Sequence, residues 1–295
     1  MSAWIDSYRG SVKAWECDTT EHFTVAYYFD RFADATLRLM EEHDIGLTSM
    51  RERRRGNATV DCFVTYSKEL RAGDPFHIES AIIGVEEKGI RAGHKLINSA
   101  TGDLCTTLEQ YMVHIDMDAR RAVAIADDKR PALQAAVAAW DGPKREERPQ
   151  PESDVGFILT HRDTTKPWEI DIVGHIGFQF YVHRFSSAGA QLFAAMGIDA
   201  DYQRVNRLGF STFEFQLRFR KELDAGAIVD VKSALVHIGG SSIRIQHRLY
   251  NAATGELSAV LDQLGVMLDL DARRPTRVPD DIRERAKPVM AVLPQ

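Results

Sequence analysis

The chain is poor in cysteine, in long apolar runs and in surplus positive charge. Its three cysteines, Cys17, Cys62 and Cys105, are an odd number at wide spacing among 295 residues. That fits neither a disulfide framework nor a structural zinc site, so a reducing cytoplasm is the expected setting. No run reaches the roughly 18 apolar residues of a membrane span. The stretch from Met1 to Gly10 lacks a basic region followed by an apolar one, so neither export nor a membrane span is expected. Lys and Arg number 37 against 43 Asp and Glu, a net charge of −6. An acidic chain is a poor match for a phosphate backbone, so no nucleic-acid partner is expected. His-Glu-x-x-His, Gly-x-Gly-x-x-Gly, Walker-type Gly-Lys-Ser/Thr and Gly-x-Ser-x-Gly are all missing. No metal and no resident cofactor is expected.

The chain does contain a repeat of itself. Trp15-Glu16, Asp18, His22, Tyr28 and Arg31-Phe32 return as Trp168-Glu169, Asp171, His175, Tyr181 and Arg184-Phe185, without gaps, at one offset of 153 residues. Downstream, Lys68-Glu69-Leu70, His94, Asn98 and Asp118-Ala119-Arg120-Arg121 return as Lys221-Glu222-Leu223, His247, Asn251 and Asp271-Ala272-Arg273-Arg274. Roughly a third of positions 13 to 130 match their partners, and so long a period means duplicated domains rather than a solenoid. The stretch from Gly142 to Asp154 is polar, charged and Pro-rich and reads as a solvated linker. The division is therefore 1–141, a linker at 142–156, and 157–295.

Within a copy, Val25, Tyr28, Phe29, Phe32, Ala35, Leu39 and Met40 recur at spacings of three and four, predicting an amphipathic helix over 24–43, with a twin starting near Gly177. Val60, Cys62, Val64 and Tyr66 alternate, as do Phe213, Phe215, Leu217 and Phe219, which predicts a half-buried antiparallel strand. Further strands are expected near 74–87, 89–99 and 103–117, punctuated by Ala72-Gly73-Asp74 and by the turn from Asn98 to Gly102. The fold class is α+β, each copy one long helix and an antiparallel β-sheet.

A strand running into Asp-x-x-x-His, a long helix two or three residues later and then four long strands resembles the hotdog fold of acyl-CoA thioesterases, here in tandem. The second copy reads Asp171-Ile-Val-Gly174-His175-Ile-Gly177 and the first Asp18-Thr-Thr-Glu21-His22-Phe-Thr24. These are similar to the Asp-x-x-Gly-His-x-Asn of the 4-hydroxybenzoyl-CoA thioesterase-like branch. Both copies lack the Asn, and the first lacks the Gly. The resemblance spans nearly the whole chain. It implies two hotdog domains, each a long helix wrapped by its sheet, hydrolysis of a small or medium acyl-CoA thioester, and Asp18 and Asp171 as candidate catalytic carboxylates.

Thioester hydrolysis needs an activated water or a direct nucleophile, together with donors for the developing oxyanion. A thiolate leaves with little help from an acid, so one carboxylate can serve as nucleophile or general base. An Asp just before a helix lies near the free N–H groups of the first turn. From spacing alone, Asp18 and Asp171 read equally as residues that cap a loop. His22 and His175 are the second candidates, for orienting substrate or tuning the carboxylate. Tyr27, Tyr28 and Tyr181 are candidates for holding an aromatic or cationic acyl group against ring faces, and Asp34, replaced by Ser187 in the second copy, for lining the first site only. His94 and His247 read as structural core groups, and the arginines around Arg51 to Arg55 as a solvated loop. The expected partner is an acyl-CoA substrate, its coenzyme A entering as part of that substrate. The copies are expected to pack as an internal pseudo-dimer, with pairing of whole chains left open. Two other readings stand beside hydrolysis. A hotdog-type enoyl-CoA hydratase would show Gly-Asp-x-Asn-Pro and a five-residue Asp-to-His spacing, neither of which is present. The other is a non-catalytic acyl-CoA-binding module.

Overall fold

The computed structural model describes residues 3–294; Met1, Ser2 and Gln295 lie outside the described residues. The first copy runs β1 (Ile5–Ser11), α1 (Val25–Glu42), α2 (Leu47–Arg53), β2 (Arg55–Tyr66), β3 (Pro75–Val85), β4 (Gly89–Asn98), β5 (Leu104–Asp116), β6 (Arg121–Ala122) and α3 (Arg130–Ala135). The second runs β7 (Ile158–Thr164), α4 (Phe178–Ala195), α5 (Ala200–Asn206), β8 (Leu208–Phe219), β9 (Ile228–Ile238), β10 (Ser242–Asn251), β11 (Leu257–Asp269), β12 (Arg274–Pro275) and α6 (Asp280–Ala286). The one long helix and the four long strands of each copy lie where the hydrophobic spacing places them.

All the strands join one antiparallel sheet of order β1-β3-β4-β5-β2-β8-β11-β10-β9-β7, with β6 and β12 attached to β5 and β11. The order is a mirror image about the β2–β8 seam, where Cys62 pairs with Leu217 and Val64 with Phe215. Pairing the copies edge to edge leaves neither β2 nor β8 as an open edge. On one face of the sheet α1 and α4 lie against each other. Their apolar stripes, including Phe29, Phe32, Val182 and Phe185, merge with Val64, Phe215 and Leu217 in a single core that spans both copies. Phe29 meets Phe178 edge-on at 5.9 Å, and Asp30 bonds His183 at 3.1 Å across the helix pair. The seam fixes the geometry of everything built between the copies.

The segment 142–154 does not float in solvent. It is strapped across the other face of the sheet. Arg145 forms an ion pair with Asp61, Arg148 with Glu214, and Gln150 Nε2 donates to Asp262 at 3.0 Å. Arg244 Nη1 donates to the Pro149 carbonyl at 2.8 Å, while Arg248 Nη1 donates to the Ser153 carbonyl and pairs with Asp154. The polarity that reads as solvation is complementary to a charged sheet face, and ion-paired Arg is how such groups become buried.

Under each helix runs a buried polar chain. Ser7 Oγ is 2.6 Å from Ser80 Oγ, Ser80 Oγ is 2.6 Å from His94 Nδ1, and Gln110 Nε2 donates to Thr59 Oγ1 at 2.6 Å. The second copy repeats it as Thr160, Ser233, His247, Gln263 and Thr212. Burial pushes both imidazoles down to about 4, which keeps them neutral at pH 7. The unfolded chain, whose imidazoles titrate at 6.5, binds these protons first. Stability is therefore full above about pH 6.5 and falls as pH drops towards 4. Urea midpoints at pH 7 and pH 5 should show a drop in the wild type that is smaller in His94→Gln and His247→Gln. An equal drop in all three proteins would assign it to other groups.

Candidate active site

The seam creates two cavities related by the repeat. One, of about 470 Å³, pairs the Asp171 loop and the start of α4 with α1, α2 and β2 of the first copy. The other, of about 600 Å³, pairs the Asp18 loop with α4 and β8 of the second copy. Each thus takes its motif from one copy and its far wall from the other.

Both motif loops close the same way. Asp171 N–H donates to the His175 carbonyl at 2.7 Å, and Asp171 Oδ1 accepts from the N–H of Val173 at 2.9 Å and of His175 at 3.2 Å. Asp18 repeats the pattern with His22 and Thr20. The turn needs a left-handed residue at its fourth position. Gly174 supplies it at φ +91°, whereas the first copy forces Glu21 to φ +65°, which costs a residue with a Cβ about 1–2 kcal/mol.

The two carboxylates differ in their surroundings. Asp18 accepts a further hydrogen bond, from Thr20 Oγ1 at 2.6 Å, where the second copy has the apolar Val173. Arg273 also closes over the first loop, donating to the Thr20 carbonyl at 3.1 Å and meeting both His22 and Glu69. In the second copy the equivalent Arg120 pairs with Glu222 and Asp224, and His175 makes its own 2.5 Å contact with Glu222. Asp171 keeps accessible surface because it lines a cavity. The protein packed around the carboxylate still desolvates it in part, and this raises its pKa above the ordinary carboxylate value of 3.8. A carboxylate less satisfied by neighbours is the stronger base.

Next to each Asp a long helix begins with no side-chain cap, at Gly177 for α4 and Thr24 for α1. The N–H groups of Phe178 and Gln179 belong to the first turn of α4 and have no backbone partner within the helix, and both residues line the Asp171 cavity at the positive end of the helix dipole. Unpaired N–H groups at such a position can donate to a polarised carbonyl oxygen.

The structure brings Asp171, His175 and Tyr181 to one cavity and Asp18, His22 and Tyr28 to the other. Tyr27 and Asp34 line neither. Tyr27 packs edge-on to His183 at 5.4 Å between the helices, and Asp34 is exposed on α1. Burial raises the pKa of the Tyr181 and Tyr28 phenols, which stay neutral. The residues that sequence reasoning passed over are Gln110 and Thr59, on the far wall of the Asp171 cavity, and Gln263 and Thr212 opposite Asp18. The repeat offset alone pairs them, Gln with Gln and Thr with Thr, and that signal was legible in the sequence.

The model of the Thioesterase-like superfamily matches residues 12–140 and 165–286, once for each copy. A Betainyl-CoA thioesterase of Pseudomonas aeruginosa is 29% identical over 117 residues, which cover 40% of this chain and 74% of that protein. An L-carnitine dehydrogenase/betainyl-CoA thioesterase of Agrobacterium fabrum is 29% identical over 127 residues, covering 43% of this chain and 26% of that protein. Among solved structures, an oleoyl thioesterase from Lactobacillus plantarum superposes with a TM-score of 0.72 at 14% identity, over 89% of this chain and 96% of that one. The 12:0-ACP thioesterase from Umbellularia californica superposes at 0.70 and 14% identity, over 90% of this chain and 94% of that one. At such identities these structures speak for the tandem hotdog fold alone.

Proposed function

The chain belongs to the Thioesterase-like superfamily and is a tandem hotdog thioester hydrolase, and from that premise we propose that it hydrolyses a short acyl-CoA in the Asp171 cavity. The observation that carries the choice of cavity is the contrast between the two carboxylates. Asp171 is desolvated and bonded only to loop N–H groups, while Asp18 is tied by Thr20 beneath a capping Arg273.

In this reading the thioester carbonyl lies against the N–H groups of Phe178 and Gln179, which bind the oxygen as it gains charge. The Asp171 carboxylate takes a proton from a water that adds to the carbonyl carbon. The tetrahedral intermediate then expels the thiolate, which takes up the proton held by Asp171, leaving the carboxylic acid and the free thiol with the carboxylate restored. Gln110 and Thr59, fixed by their mutual hydrogen bond, supply polar contacts from the opposite wall. The acyl group is compact and carries no negative charge, because the cavity offers it ring faces such as Tyr181 and Phe178 and the thioethers of Met40 and Met50. The names of the curated relatives point the same way, to betainyl-CoA, whose quaternary ammonium suits aromatic faces.

Thiol release from a panel of trimethylammonium, branched, aromatic and dicarboxylic acyl-CoAs tests this reading. The first should turn over best and the dicarboxylic ester worst. The acid limb of kcat/KM should fall at an apparent pKa above 3.8, since a raised pKa leaves the base protonated, and idle, to higher pH. Preference for the dicarboxylic ester, or an acid limb at or below 3.8, would contradict the reading.

A further inference from the structure

We infer that Trp168, Arg220 and Lys221 form a rim at the Asp171 cavity that holds the phosphorylated adenosine half of coenzyme A. This rests on the hydrolase reading above and extends it from the acyl group to the carrier.

Trp168 is 75% exposed, an unusual place for an indole, yet it lines the Asp171 cavity. Its backbone is a single helical turn, Pro167–Glu169, and that turn is anchored. Glu169 accepts from the Lys166 N–H at 2.9 Å and pairs at 2.8 Å with Arg184, which is itself buried and also bonded to Asp163. The ring is therefore presented to solvent from a fixed base, which is how a stacking platform has to be built. On the same cavity, at the end of β8, stand Arg220 and Lys221. Both are exposed, Arg220 forms no ion pair among the described residues, and Lys221 has only a 3.4 Å contact with Glu256.

An exposed aromatic face beside an uncommitted guanidinium and an ammonium matches a purine joined to phosphates. The base stacks on the indole, and the planar guanidinium takes phosphate oxygens in pairs. The repeat supplies an internal contrast. Trp15 is 74% exposed but does not line the Asp18 cavity, Ser67 stands in the place of Arg220, and Lys68 is committed to Asp103 at 2.6 Å. The full set is present only beside Asp171.

The experiment compares one acyl group on coenzyme A and on pantetheine, which lacks the nucleotide, and titrates each protein with 3′,5′-ADP as a probe that needs no turnover. Trp168→Ala and Arg220→Ser should each raise KM for the acyl-CoA by about 5- to 100-fold, the scale of one lost stacking or phosphate contact, with far less effect on the pantetheine thioester. They should weaken 3′,5′-ADP binding in parallel, and Trp15→Ala should change neither. Equal rises for both carriers, or unchanged 3′,5′-ADP binding in both variants, would overturn the rim. If no thioester is turned over by the wild type, the hydrolase reading fails, and the 3′,5′-ADP titration still decides the rim.

Discussion

Replacing Asp171 with Asn should lower kcat for thiol release by about 10²–10⁴-fold, the usual range for losing a positioned acid–base group, while the protein still folds and still binds coenzyme A. The amide keeps the shape and the acceptor oxygen that closes the loop through Val173 and His175. What it removes is the capacity to take a proton from water. Folding is expected to be preserved, because burial raises the pKa of the native carboxylate, so that ionised group is held against a desolvation penalty that the amide does not meet. A residual rate is expected from the helix N–H groups, which polarise the carbonyl whether or not a base is present. A fall in kcat accompanied by loss of the folded baseline would mean that Asp171 is a structural cap. A fall confined to KM would mean that it positions substrate without entering the chemistry.

The second large effect is on stability and tests the strap. Arg244 and Asp262 have side chains each about 6% exposed, joined through Arg244 Nε to Asp262 Oδ1 at 2.8 Å and through a second, shorter contact, and Arg244 also holds the Pro149 carbonyl. Arg244→Met leaves Asp262 buried with only Gln150 to bond. Breaking such a pair from one side costs about 3–5 kcal/mol, most of it the stranded charge. The repeat again provides a control. The equivalent pair in the first copy, Arg91 and Glu109, is 3.2 Å apart with side chains 42% and 28% exposed, far more open to solvent. Arg91→Met should therefore cost no more than about 1 kcal/mol. Urea midpoints at unchanged m-value measure both. Similar, small losses at the two positions would show that the strap contributes little to stability.

The long elements were legible because each buries one face. The spacing of Phe29, Phe32 and Ala35 is that of a helix face, and the alternation of Phe213, Phe215 and Leu217 is that of a strand, so helix and strand emerge from periodicity and the duplication from the fixed offset. The strap was misread because composition reports polarity and not its partner. Arg145, Arg148 and Gln150 look solvated until Asp61, Glu214 and Asp262 are placed beneath them by the sheet. Asp34 and Tyr27 were candidates because they follow the motif on α1, but the close packing of α1 against α4 leaves one in solvent and the other between helices. Gln110 and Thr59 were overlooked for the converse reason. They stand about 60 to 110 residues from Asp171 in sequence, in the other copy, and only pairing at β2–β8 brings them to its cavity. A site assembled across a seam is visible from sequence only as the half that carries the motif.

On the proposed reading, one of the two homologous cavities, that of Asp171, performs the hydrolysis. The measurement that tests it most directly is thiol release from a trimethylammonium acyl-CoA by the wild type, Asp18→Asn and Asp171→Asn side by side, with coenzyme A binding measured for each. Asp18→Asn should stay within a few-fold of the wild type, while Asp171→Asn should lose turnover and keep binding. Turnover lost in Asp18→Asn and kept in Asp171→Asn would contradict that reading.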